Sequence, residues 1–147
     1  MTRQWVFLLP WQRPPYTLND RYGKWEAHRV RSFIRDDTAN LLHKQLPREL
    51  GPLVAELVWY PGSDKVADSD NIAFTLKFCL DALKLVGAVP DDTPHYVIRT
   101  MQRVVPRSLD PYHRRVPELF LVLTESEHAD MPHYEAGAEV GKIVTAS

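Results

Sequence analysis

Asp68 and Asp70 stand two residues apart, and a second acidic pair, Asp91 and Asp92, follows further along the chain. If the backbone at the first pair is extended, both carboxylates project from one face, close enough to share a cation. Hard cations such as Mg²⁺ take oxygen ligands, use only a few carboxylates and keep positions open for phosphate and water. Asp91 and Asp92 come after an apolar helical stretch, so the chain's return to the sheet is expected to bring one of them beside Asp70. Three converging carboxylates repel one another unless a cation offsets their charge. The same residues also have an ordinary use. Asp70-Asn71 can cap a helix and Pro90-Asp91-Asp92 can make a turn. An Asp-x-Asp pair alone is a weak signal, and nucleotide-sugar transferases use one with a metal too, although this chain is short for such an enzyme.

The elements around these residues follow from pattern. Gln4 to Leu9 reads as a strand ended by Pro10, then a loop rich in Pro, Asn, Asp and Gly. Trp25, Val30, Phe33, Ile34, Leu41 and Leu42 mark a helix from Lys24 to about Gln45, stopped by Pro47. Leu53 to Tyr60, between Pro52 and Pro61-Gly62, reads as a second strand. Ile72, Leu76, Leu80, Leu83 and Val86 repeat at helical spacing, predicting a helix from about Asn71 to Val86 with Gly87 at its C-terminus. Tyr96 to Val105 and Leu119 to Thr124 read as third and fourth strands, joined by a proline- and arginine-rich connection, 106–117. The order β-α-β-α-β-β predicts a two-layer α/β (α+β) domain: a mixed sheet of about four strands and two main helices over residues 1–124. Residues 125–147 read as an acidic, mobile tail.

Composition agrees with one globular domain: 147 residues, 44% hydrophobic and 25% charged, with 12 prolines spaced between apolar runs. The single cysteine, Cys79, excludes an intramolecular disulfide and a multi-thiolate zinc site, and its apolar setting predicts burial. No apolar run reads as a signal peptide or a membrane span, so no membrane partner and a cytoplasmic place are expected. The net charge of −1 is unevenly spread. The segment 125–147 has five acids against Lys142, a net of −4, which leaves +3 on the rest. Arginines gather at Arg21, Arg29, Arg31 and Arg35, and again at Arg99, Arg103, Arg107, Arg114 and Arg115. Such patches suit phosphates; solvated surface is the ordinary alternative use of any single arginine. Trp5, Trp11, Trp25 and Trp59 read as core, while Tyr16 and Tyr22, in the proline-rich loop, are the better candidates for contact with a partner.

Taken as a set, Asp68-Ser69-Asp70-Asn71, Leu76-Lys77, Asp81-Ala82-Leu83, Gly87 and Asp91-Asp92 resemble the core of the RusA-type Holliday-junction resolvases. Pro14-Pro15, Asn19, Arg21 and Tyr22 resemble that family's Pro-Pro and Asn-x-Arg-Tyr loop, and the resemblance runs from the first strand to about Thr124. It implies a homodimeric, Mg²⁺-dependent endonuclease, with Mn²⁺ as a substitute metal, that cuts four-way or branched DNA by paired nicks in recombination and repair. It also implies a cytoplasmic, nucleoid-associated protein, as for one encoded by a phage or prophage. The metal-binding carboxylates would be Asp68, Asp70 and Asp92, with Asp91 as the preceding acid, and the family's essential lysine would be Lys77. Asn19, Arg21, Tyr22, Lys24, Arg29, Arg99 and Arg103 would contact DNA, the cations through its backbone.

One departure bears on Lys77. The family pattern puts the lysine three residues after the Asn, and here three more intervene. Four residues of helix turn through about 400° and seven through about 700°, so both offsets return near the face of Asp70. The axial gap grows by about 4.5 Å. On an exposed face Lys77 could instead pair with Asp81 at i,i+4. Two other classes remain open: a non-catalytic junction-binding protein of the same fold, and a metal-dependent enzyme acting on nucleotides.

Overall fold

The computed structural model describes residues 3–47, 50–65 and 69–126, with residues 69 and 70 described by backbone alone. Four strands, β1 (Gln4–Leu8), β2 (Leu53–Tyr60), β3 (Val97–Val104) and β4 (Glu118–Glu125), form one sheet in the order β1-β4-β2-β3. β4 pairs antiparallel with both β1 and β2, whereas β2 and β3 run parallel. A parallel neighbour requires a crossover, and helix α2 (Ala73–Leu85) supplies it. Helix α1 (Lys24–Leu42) joins β1 to β2, giving the β-α-β-α-β-β order and the mixed α+β sheet-and-helix class expected from the sequence.

Strand alternation decides which face the helices cover. Leu53, Ala55 and Leu57 of β2 and Leu119, Leu121 and Leu123 of β4 are fully buried. They meet Ile34 and Leu42 of α1 and Leu76, Cys79, Leu80 and Leu83 of α2 in one core. The alternate residues Val6, Glu56, Phe120 and Val122 form the opposite sheet face, which no helix among the described residues covers; Val6 is 58% exposed there.

Element ends depart from the sequence reading where local backbone geometry intervenes. α1 ends at Leu42 rather than Gln45, because the chain turns through Lys44 at a positive φ of 61°. Residues Ser69–Ile72 form a 3₁₀ turn, so α2 proper starts at Ala73. Gly87 closes α2 with φ 76°, as its position predicted. β4 continues through Glu125, whose carboxylate accepts bonds from the Arg3 guanidinium at 2.9 Å and the Gly51 N–H at 2.7 Å. The expected tail boundary therefore falls inside a strand; residues 127–147 lie outside the described residues.

Cys79 is buried as expected, and enclosure pushes its thiol up to about 12, with Thr38 Oγ1 3.6 Å away. Trp5, Trp11 and Trp59 pack against the core. Trp25 does not: it is 78% exposed at the start of α1, a correction to the core assignment. Phe33 is also half exposed, its ring tilted against Trp11 at 5.9 Å.

Candidate active site

The loop between β1 and α1 is bound to the start of α2. The Tyr16 N–H donates to Thr75 Oγ1 at 3.1 Å, and that hydroxyl donates to the Tyr16 carbonyl at 2.7 Å. Leu18 N–H donates to the Asn71 carbonyl at 3.1 Å, inside the 69–72 turn. The loop also holds its own shape. Asp20 accepts from Thr17 N–H at 2.8 Å and Thr17 Oγ1 at 3.1 Å, and the Tyr22 hydroxyl donates to the Pro15 carbonyl at 2.9 Å. The Tyr16 ring meets Tyr22 at 5.0 Å, Phe74 at 5.2 Å and Phe78 at 5.6 Å. Burial, then the nearby Asp20 charge, raises the Tyr22 pKa, so its phenol stays protonated at neutral pH. Pro14-Pro15 and Asp70-Asn71 are far apart in sequence but belong to adjoining segments of the folded chain.

Asp68 lies outside the described residues, as does the Asp70 side chain; the Asp70 backbone is part of the 69–72 turn. Asn71 follows it, 8% exposed. Asp91 and Asp92 come after α2, and the Asp92 N–H donates to Asp91 Oδ1 at 2.8 Å. The turn expected for Pro90-Asp91-Asp92 thus has a local stabilising bond. Asp92 Oδ2 lies 3.8 Å from Lys84 Nζ, which also reaches Asp81 at 3.4 Å. The thirteen residues of α2 advance about 20 Å along its axis. Asp70 precedes that span, whereas Asp92 meets a side chain from its last turn. The described contact of Asp92 is thus with Lys84 of α2, while the Asp70 backbone stands in the turn before that helix and its side chain lies outside the described residues.

Lys77 is exposed on α2. Its possible i,i+4 partner, Asp81, is taken by Lys84, and among the described residues Lys77 makes no ion pair. Its ammonium is therefore not committed to a partner on that face.

The expected DNA-contacting residues fall on two sides of the sheet. Asn19, Arg21, Lys24 and Arg29 are exposed on the loop and on α1, with Tyr22 half-buried among them. Arg99 and Arg103 project from β3 on the sheet face opposite α1 and α2, in register with Val54 and Val58. Arg103 Nε bonds Glu56 there at 3.0 Å. Beside this pair lies a concavity of about 390 Å³ lined by Tyr60, Arg114 and Phe120. The Arg114 guanidinium stacks over Tyr60 at 3.9 Å and donates to Asp110 at 2.8 Å. Sequence reading did not find this cluster. Its parts come from β2, β3, β4 and the 106–117 connection, and only Asp110 and Arg114, four apart, carry a local hint.

Burial works to raise the Asp110 pKa. The N–H groups of Tyr112 and Arg114 and the Arg114 guanidinium outweigh it and hold the carboxyl below its usual value. Among the described residues no three His, Cys, Asp or Glu side chains group closely enough to hold a metal ion. Compared with protein-family models and with curated proteins, the chain matches none.

Proposed function

We propose that this chain is a metal-dependent endonuclease of branched DNA, of the RusA type, and that it acts as a homodimer. The observation that carries the reading is the bond between the Pro-Pro/Asn-x-Arg-Tyr loop and the Asp70-Asn71 segment, through Leu18 to Asn71 and Tyr16 to Thr75. The two stretches that resemble the family adjoin in space, as parts of one site would.

The donor set suits a hard divalent cation: carboxylates of Asp68, Asp70 and Asp92, with Asp91 alongside, offer oxygen ligands and no soft sulfur. Mg²⁺ held there would supply Lewis-acid polarisation of a phosphate and a more acidic bound water. A homodimer carrying two such sites suits a twofold substrate that is nicked on two strands. Lys77, free of ion pairs among the described residues, is placed in this reading to stabilise charge on the phosphate. Arg21, Lys24 and Arg29 hold the DNA backbone from the α1 side, a contact that weakens with salt.

The test is nicking of a four-way junction, a flap and a linear duplex by purified protein with and without Mg²⁺. Selective, Mg²⁺-dependent cutting of the junction is expected. Asp70→Asn should abolish cutting and leave junction binding intact; full cutting by that variant overturns the metal assignment. Binding without any nicking by the wild-type chain would favour a junction-binding protein instead. Nucleotide turnover without junction affinity would favour a nucleotide-processing enzyme.

A further inference from the structure

Trp25 occupies the first turn of α1 with 78% of its surface in water. An indole is the largest apolar side chain and is usually well buried, so its place on a folded surface points to a use there. Its surroundings set the chemistry of a partner. From residue 21 to residue 31 the chain has Arg21, Lys24, Arg29 and Arg31 against the single carboxylate Glu26. Arg21, Lys24, His28, Arg29 and Arg31 are all exposed. A flat aromatic surface inside a cationic stretch matches an anionic chain that also presents flat rings. Unpaired nucleotides are such a chain, since their phosphates meet the cations while a base stacks on the indole.

The location supports the same partner. Tyr22 precedes Trp25 by three residues, a reach of about 11 Å at most. Tyr22 meets Tyr16 edge to face, and Tyr16 meets Phe74, the second residue of α2, in the same way. Ring contacts therefore join Phe74, in the segment after Asp70, to Tyr22, three residues before Trp25, and Phe74 is itself 38% exposed.

We infer that Trp25 is a stacking platform for an unpaired base, with Arg21, Lys24 and Arg29 holding the flanking phosphates. This deepens the branched-DNA reading and rests on it: a branch point is where duplex DNA offers unstacked bases. Paired bases in a linear duplex are shielded by their neighbours and have no face to offer. The indole therefore discriminates between substrates, while the cations bind both.

The experiment uses the full chain in EDTA, so that binding is read without cutting. A single-stranded oligothymidylate and a four-way junction with 2-aminopurine at the branch are titrated beside a linear duplex. Trp25→Ala should weaken oligothymidylate and junction binding about tenfold, the usual cost of one lost base stack, and leave duplex binding unchanged. Trp25→Phe should recover most of that loss. Arg29→Ala should weaken all three ligands alike and lower the salt slope. Unchanged affinity in Trp25→Ala, equal losses on duplex and unpaired DNA, or no recovery by Phe would each overturn the platform. Failure of wild-type protein to bind oligothymidylate would overturn it too. Mg²⁺-dependent nicking of the junction, measured on the same preparations, separates the two readings: nicking that persists while the platform fails overturns the platform alone.

Discussion

Thr75 and Tyr16 exchange a pair of hydrogen bonds, the Thr75 hydroxyl accepting from the Tyr16 N–H at 3.1 Å and donating to the Tyr16 carbonyl at 2.7 Å. Thr75 is fully buried, so neither backbone group of Tyr16 finds water there if the hydroxyl is removed. Thr75→Val keeps the shape and deletes both bonds. It should cost about 1–3 kcal/mol of stability, the price of stranded polar groups. The loop also sets Arg21 and Tyr22, so junction binding should fall as well. Thr75→Ser, which retains the hydroxyl, should restore both. Denaturant midpoints and junction titrations check it; a stable Val variant with full affinity would show that the bond pair does not hold the loop.

Lys84 bridges Asp81 at 3.4 Å and Asp92 at 3.8 Å, with each of the three side chains about one-third exposed. Exposed pairs of this kind contribute roughly 0–1 kcal/mol, so Lys84→Met should barely change the melting temperature. Its effect should appear in metal dependence. Lys84 is a cation already beside a proposed metal ligand, and its removal takes away a competitor. The Mg²⁺ concentration giving half-maximal junction cleavage should fall several-fold. An unchanged or raised requirement would argue against Asp92 as a ligand.

Asp110 ties the 106–117 connection together, accepting from Tyr112 N–H at 3.0 Å, Arg114 N–H at 3.0 Å and the Arg114 guanidinium at 2.8 Å. Burial pushes its pKa up, but these donors win, and the folded value lies below the ordinary 3.8. A carboxylate depressed in the folded state contributes fully above its unfolded pKa and loses that contribution as pH falls through the lower folded value. Glu125 behaves alike, held below 4.5 first by Arg3 and then by the Gly51 N–H. Stability should therefore decline on acidification below about pH 4.5, the ordinary value for Glu125. Asp110→Asn should lower stability at pH 7 and make that acid limb shallower. Equal slopes for variant and wild type between pH 2 and 5 would refute the assignment.

Gly62 adopts φ +77°, and a Cβ there would lie 2.5 Å from the Arg115 carbonyl oxygen. Backbone cannot yield as a side-chain tip does. Gly62→Ala should cost about 1–3 kcal/mol through left-handed strain, with the clash added to it. It should also loosen the Ser63–Arg107 and Asp64–Ser108 bonds at 3.1 Å and 2.8 Å. Thermal melts give the cost, and hydrogen exchange at Arg107 and Ser108 gives its location.

The sequence was most informative where signals were local. β2 spans Leu53–Tyr60 as its flanking Pro52 and Pro61-Gly62 indicated, and Gly87 ends α2 with the positive φ its position implied. α2 was read as one helix because apolar spacing does not distinguish a 3₁₀ turn from an α-helical one over Ser69–Ile72. Periodicity puts Trp25 in the core because it records residue type and not what stands opposite the face. The order β1-β4-β2-β3, the Lys84–Asp92 contact and the Arg114–Tyr60 stack depend on how distant segments return, which no window of neighbouring residues encodes. The Asp-x-Asp-Asn motif was legible as a motif.

Cys79, sealed in the core with its thiol raised to about 12, gives the native chain a chemical silence. It is the only cysteine, and thiol-directed dyes require an accessible thiolate. A cysteine introduced at an exposed position such as Tyr112 would therefore be the sole site to react, with no native residue to remove first. Two copies labelled in this way, one with a donor and the other with an acceptor, would each carry a single fluorophore at a known place. Energy transfer between them could then follow the meeting of subunits and their response to a branched substrate in real time.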